Sequence, residues 1–186
     1  MTFLKQYIKN QNLIKHSLAV EISMSNLADY FSRQADSAFK ENKEKWGLAG
    51  LLHDIDYEIT QYDPQSHGLK ARELLKDFHL DEDIFNAIEA HNVSLQIMPK
   101  TLMAKSLICV DPLTGLIVAS VLVLPSKQLK LLGSASVLKH FKEKSFARNI
   151  SREQISLCET YLGISLDHFV AIVLEAMKTI SDDLGL

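Results

Sequence analysis

Trp46-Gly47-Leu48-Ala49-Gly50-Leu51-Leu52-His53-Asp54 decides the fold. The segment is apolar almost throughout, and from Glu41 onward it reads as a buried helix that ends on two ionisable side chains. Gly47 and Gly50, three apart, predict close packing against another helix. Burying an imidazole and a carboxylate is costly unless something pairs with them, so the sequence around this segment has to supply the partner.

Outward from it the period is helical nearly everywhere. A short helix is expected over Thr2–Lys9 and a long one from Asn12 to about Ser32. Asp63-Pro64 looks like a helix start, with an N-cap acceptor before proline at the first helical position, and that helix is expected to run to about Phe78. Asp81 is expected to cap the next, ending near His91-Asn92. Pro99-Lys100-Thr101 opens another, which Pro112 should break or kink. The β-branched run Ile117, Val118, Val121, Val123 reads as helix because one buried strand would have no partner. Further helices are expected over Ser134–Phe141, Ser151–Leu162 and, capped by Ser165, to Leu184. The expected fold is an all-α helical bundle forming one domain over residues 1–186, with a core over 11–125 and a C-terminal helical extension over 126–186.

At about 100° per residue, several polar residues fall on apolar faces. His16 shares a face with Leu13, Val20, Met24, Leu27 and Phe31. His67 lines up with Ala71, Leu74 and Phe78, His91 with Ile84, Ala87 and Ile88, and Asp111 with Met103, Ala104 and Leu107. One such histidine would be an ordinary hydrogen-bonded core residue. Several helices each aiming an imidazole or carboxylate inward point to a metal ion.

Composition narrows the function. The chain has 186 residues, 47% hydrophobic and 23% charged, with a net charge of -3, a profile of a globular protein with no broad affinity for nucleic acid. The start of the chain lacks a signal-peptide layout. The apolar run Leu113–Pro125 stops at about a dozen residues, fewer than a bilayer span needs. Cys109 and Cys158 read as buried free thiols. These features predict a cytoplasmic protein that is not in a membrane; an oligomer is compatible with them.

The order His16, His53-Asp54, His67, His91, Asp111, with its surroundings Lys15-His16-Ser17, Gly50-Leu51-Leu52-His53-Asp54, Ser66-His67-Gly68, Glu89-Ala90-His91-Asn92 and Val110-Asp111-Pro112, resembles the HD-domain superfamily of metal-dependent phosphohydrolases. The similarity extends through Pro125-Ser126-Lys127 and Lys144-Ser145-Phe146-Ala147-Arg148 to small stand-alone HD proteins. The resemblance implies that His16, His53, Asp54 and Asp111 hold a first divalent ion. His67 and His91 would add a second, Asp54 would bridge the two, and His53 and Asp54 would be central to catalysis. Mixed nitrogen and oxygen ligands suit iron, manganese, zinc, cobalt or nickel. Two such ions can activate a water as a metal-bound hydroxide and polarise a phosphoryl oxygen. The implied activity is hydrolysis of a small anionic phosphorylated substrate, a nucleotide or related ester. A di-iron oxygenase of the same fold and a non-catalytic metal-binding regulator are the alternatives.

Two departures follow. Many HD enzymes place a lysine shortly after the His-Asp pair, where this chain has Ile55-Asp56-Tyr57-Glu58. Asp56 and Glu58 are therefore read either as groups that orient a ligand histidine or water or as solvated carboxylates. Phosphate charge has to be met elsewhere. Between Lys127 and Arg152 seven cations face the single acid Glu143, a local charge of +6 that leaves -9 for the rest. Arg148 is the first candidate for a bidentate phosphate contact, with Lys144 and Lys127 beside it and Arg72 and Lys105 as secondary candidates. Pro112 also stands where relatives more often carry a charged residue.

Overall fold

A computed structural model describes residues 3–34 and 41–186, and all described regular structure is helical. The elements are α1 (Leu4–Tyr7), α2 (Gln11–Gln34), α3 (Lys43–Leu52), α4 (Tyr57–Thr60), α5 (Leu69–Leu74), α6 (Glu82–His91), α7 (Leu102–Leu122), α8 (Ser134–Lys142), α9 (Arg152–Leu157), α10 (Leu166–Lys178) and α11 (Ser181–Leu184). Thr2, where the first helix was expected to begin, lies outside the described residues.

α7 is the central element. It packs against α2, α3 and α6 on the side of the His-Asp segment and against α8, α9 and α10 on the other. One cluster of buried apolar residues runs through all of them, from Leu4 to Leu184. α7 passes through Pro112 instead of ending there. A proline inside a helix removes one backbone hydrogen bond, but Leu113, Leu116, Ile117 and Val121 beyond it are completely buried, and that burial holds the helix together. α7 as a whole is therefore long and apolar enough to cross a membrane, contrary to the expectation from its second half alone; 61% of its most apolar window is buried inside the fold.

The α2–α3 pair explains the two glycines. A Cβ on Gly50 would lie 2.9 Å from the Val20 carbonyl oxygen and 3.0 Å from the Glu21 nitrogen, and one on Gly47 would lie 2.5 Å from Ser25 Oγ. At Gly50 only glycine lets the backbones come this close; at Gly47 the neighbour is a side chain. Asn42 starts α3 by accepting from the Lys45 N–H at 2.9 Å, and His53-Asp54 follow its last turn.

Three expected helix starts differ in mechanism, the last being α10, where Ser165 occupies the N-cap position without bonding the helix. Residues 64–68 form turns, and α5 begins at Leu69. The Asp63 carboxylate accepts from the Ser66 hydroxyl, so it is used inside the turn. The cap comes from a distance: Asp56 Oδ2 accepts from the N–H groups of Gly68 at 2.8 Å and Ala71 at 3.0 Å. Gly68 sits at φ +88°, with no room for a Cβ against the Ile88 carbonyl at 3.0 Å. At α6, Asp81 occupies the N-cap position without bonding the helix. Its carboxylate pairs instead with Lys45 Nζ at 2.9 Å. Thr101 and Ser151 do cap, accepting from Ala104 N at 3.1 Å and Gln154 N at 3.2 Å.

Candidate metal centre

Five segments deliver six side chains to one place. His16 comes from the middle of α2, His53 and Asp54 from the end of α3, His67 from the turn before α5, His91 from the last residue of α6 and Asp111 from α7. Their ligand-type atoms form overlapping groups, each within 4.8 Å: His16, His53 and Asp54; His53, His91 and Asp111; Asp54, His67 and His91.

The two oxygens of Asp54 face different neighbours. Oδ2 is 3.7 Å from His16 Nε2 and 3.4 Å from His53 Nε2. Oδ1 is 3.2 Å from His67 Nε2 and 3.6 Å from His91 Nε2. Asp111 Oδ1 closes the first group, 2.9 Å from His16 Nε2 and 3.8 Å from His53 Nε2.

What lies behind each ring fixes its proton. His53 Nδ1 is 2.7 Å from the Gly50 carbonyl, and His91 Nδ1 contacts the Ile88 carbonyl. A carbonyl only accepts, so both Nδ1 atoms carry hydrogen. His67 Nδ1 donates to Asp56 Oδ1 at 2.8 Å. Thr114 donates its hydroxyl hydrogen to the Asp111 carbonyl at 2.9 Å, which leaves the oxygen to accept from His16 Nδ1 at 3.3 Å. In its neutral form each of the four imidazoles therefore turns a bare Nε2 inward. His16 and His53 bring these atoms to 3.2 Å, His67 and His91 to 3.1 Å. Two lone pairs at that separation repel unless a cation lies between or beside them. The donor set thus fits divalent ions, and the backing of each imidazole by a carbonyl, carboxylate or hydroxyl is the arrangement that orients metal-bound histidines.

The electrostatics agree. Burial pulls the His53 pKa down further than Asp54 and Asp111 raise it, so His53 is held neutral. Burial also opposes charge on His16 and His67. For His16, the hydrogen bond to Asp111 and the charges of Asp111 and Asp54 outweigh it. For His67, the hydrogen bonds to Asp54 and Asp56 push the pKa up to about 9. Burial favours the neutral acid at Asp54 and Asp111, but the surrounding imidazoles reverse it and hold both carboxyls below their ordinary range. Metal-free, the cluster attracts positive charge.

The family model of the HD domain matches residues 13–159, and the cluster of histidines and aspartates is compatible with a metal-binding HD site. The chain belongs to the HD domain family. HD domains are metal-dependent phosphohydrolases, and they bind divalent metals. Ribonuclease Y of Lawsonia intracellularis (strain PHE/MN1-00) is 29% identical over 173 residues, which are 93% of this chain and 29% of that protein. The HD chain thus spans less than a third of the length of this relative. No solved structure matches it.

Access is from the side of His16 and Asp111, which keep 23% and 28% of their side-chain surface exposed while His53 keeps none. A cleft of about 480 Å³ opens there between Asn12, Lys15, His16, Gly115, Val118, Leu122 and the Leu184–Leu186 segment. Lys15 is the cation at this opening, and among the described residues it has no ion-pair partner. Sequence reasoning did not single it out, although it is adjacent to His16.

The five cations proposed from sequence lie elsewhere. Lys144 and Arg148 line a separate bowl on the C-terminal side. Lys127 is an exposed turn residue at φ +50° that lines neither cavity. Arg72 is committed to ion pairs with Glu82 at 2.8 Å and Glu89 at 2.9 Å and stacks over Phe85; its charge is already met. Lys105 Nζ lies over the Tyr161 ring at 5.8 Å. Asp56 is the residue that orients a histidine, whereas Glu58 accepts from the N–H groups of Lys9 and Asn10 ahead of α2.

Proposed function

We propose that this HD domain is a two-metal phosphohydrolase that cleaves a small phosphate ester, a nucleotide or related compound, at the cleft beside His16. The observation that carries the reading is the pair of facing, bare Nε2 contacts at 3.2 and 3.1 Å with the two oxygens of Asp54 divided between them. His16, His53, Asp54 and Asp111 would hold one ion, and Asp54, His67 and His91 the other. The ions would supply Lewis acidity and an activated water, so no protein nucleophile is required. Of the residues themselves, Asp56 holds the His67 ring and its proton at Nδ1, and Thr114 does the same for His16. Lys15 meets the phosphate charge at the mouth. Val118 and Leu122 give the apolar wall for the remainder of the ester.

A ribonuclease among the relatives favours a second reading within the same chemistry, a phosphodiester of RNA as substrate. Both are tested by one experiment. Protein supplied with manganese, iron, zinc, cobalt or nickel is assayed for phosphate release from nucleotides and simple esters and for cleavage of a short RNA, with oxygen uptake followed in parallel. Hydrolysis that disappears in Asp54→Ala, with no oxygen uptake, is expected. Oxygen uptake without hydrolysis would replace the proposal by an oxygenase.

A further inference from the structure

Residues 143–150 form a loop of turns between α8 and α9, and the loop is built around Arg152. This guanidinium donates to five backbone carbonyls: Ala147 at 2.7 Å, Ile150 at 2.9 Å, His140 at 3.3 Å, Phe141 at 3.5 Å, and Phe146. Ala147 is held at φ +43°, a left-handed conformation that an L-residue with a Cβ adopts at a cost of about 1 kcal/mol or more. A solvated surface loop has no need of such a clamp. The clamp gives the loop one fixed shape.

That shape is a bowl of about 840 Å³ with Lys142, Lys144 and Arg148 on its wall together with Phe141, Ile150 and Ser151. Glu153 is the one acid lining it. Among the described residues none of Lys142, Lys144 and Arg148 makes an ion pair or a side-chain hydrogen bond. Three cations around one concavity repel one another, and the fold holds them there through the Arg152 clamp.

The bowl adjoins the metal cleft. Ile150 forms part of its wall, and a Cβ on Gly115 would lie 3.4 Å from Ile150 Cδ1. Gly115 lines the cleft at His16 and stands one helical turn beyond Asp111 on α7.

We propose that this bowl is a second anion site, which takes a phosphate group on Lys142, Lys144 and Arg148 independently of the metal centre. The geometry suits a dianion: the Arg148 fork gives a bidentate contact and the two ammonium groups balance the remaining charge. Arg152 is a positioning residue, because its donors are all used by the loop.

The phosphate has two sources, a free small phosphate or the backbone of a nucleic acid, and two probes separate them. Inorganic phosphate is titrated calorimetrically, and a fluorescein-labelled single-stranded thymidine heptamer is followed by anisotropy, both with the metal-loaded protein. The Lys144→Ala/Arg148→Gln double variant should bind about tenfold more weakly or worse, for the loss of two charge-assisted contacts. With the heptamer, the slope of log affinity against log salt should also shrink by about 1.4, as two phosphate contacts are lost. A structural defect would not produce that change in slope. Arg148→Lys, which keeps the charge and loses the fork, and Arg152→Lys, which slackens the clamp, should each weaken binding less than the double variant. Loss with both probes shows that the phosphate group itself is recognised, and loss with one names the source. The proposal is overturned if wild type binds neither probe, or if the double variant, melting like wild type, binds both as wild type does. Because the readout is binding, absence of hydrolysis would leave this site standing, and loss of this site would leave the metal chemistry standing.

Discussion

Replacing Gly50 by alanine tests how the fold sets the metal centre. Alanine favours a helix over glycine by about 1 kcal/mol, so propensity alone predicts a gain. The new Cβ would meet the Val20 carbonyl oxygen at 2.9 Å and the Glu21 nitrogen at 3.0 Å, both backbone atoms that cannot rotate away. Reaching ordinary contact needs a separation of α2 and α3 by roughly 0.4 Å, and overpacking of this kind costs about 1–3 kcal/mol. Set against the gain of about 1 kcal/mol, the clash leaves a net loss of up to about 2 kcal/mol, or a Tm lower by up to roughly 8 °C for a chain of this size. The same shift moves His53 away from His16, whose Nε2 atoms now face each other at 3.2 Å. Metal–ligand distances tolerate only about 0.2 Å, so metal content should fall as well. Gly115→Ala is the control: its Cβ would meet only the flexible end of Ile150 at 3.4 Å, so propensity should prevail and raise the Tm by about 1–4 °C. Scanning calorimetry and elemental analysis measure both variants. A Gly50→Ala protein that melts at or above wild type with full metal would refute the reasoning.

Asp54→Ala should lose both ions together, since its two oxygens face both groups of histidines; elemental analysis that finds one ion retained would show that Asp54 does not bridge. Asp56→Asn should lower affinity for the second ion by about 10–100-fold and reduce stability by about 1 kcal/mol through the weakened α5 cap, read by metal titration and melting. Chelation of the holoprotein should lower the Tm by roughly 5–10 °C where free metal had been a hundredfold above its Kd. In the metal-free protein, His67 has a folded pKa of about 9 against an ordinary 6.5; its contribution is complete below about pH 6.5 and is lost as pH rises towards 9, so apo stability should decline across that window. Burial raises the Cys109 thiol strongly and the Cys158 thiol to about 11, so a disulfide reagent at pH 8 should label neither in the folded protein and both in denaturant.

Helix identity was legible because the apolar period is local information. Trp46 to Leu52 could hardly be read otherwise, and the packing role of Gly47 and Gly50 followed from their spacing. The expectation that His16, His91 and Asp111 point inward came from the same period. Capping was less legible because it depends on who else competes for a side chain. Asp63 and Asp81 have the right residue type in the right place, yet Ser66 and Lys45 take their carboxylates. Asp56, which does cap α5, stands thirteen residues ahead of Leu69, and no local rule connects them. Cations were read least well. A net local charge shows that Lys144 and Arg148 are in a basic stretch, but not that the stretch curves around a bowl. Arg72 looked free until Glu82 and Glu89 were placed beside it, and Lys15 looked unremarkable until the cleft formed around it.

Asp56 also explains why this site and this fold are one thermodynamic unit. The carboxylate is fully buried, which is costly unless every lone pair is used. Oδ2 satisfies the start of α5, and Oδ1 satisfies His67 Nδ1. The helix and the ligand therefore share one buried anion. With a cation on Nε2, the His67 Nδ1–H would be a stronger donor and the charge of the buried Asp56 better balanced. When the cation leaves, His67 keeps a proton in its place, as its raised pKa shows. Proton and metal are alternative occupants of the same position between Asp54 and Asp56. Metal affinity at the second position must therefore fall as pH drops below about 9; at the first position the raised His16 brings the same competition with protons, while burial holds its partner His53 neutral.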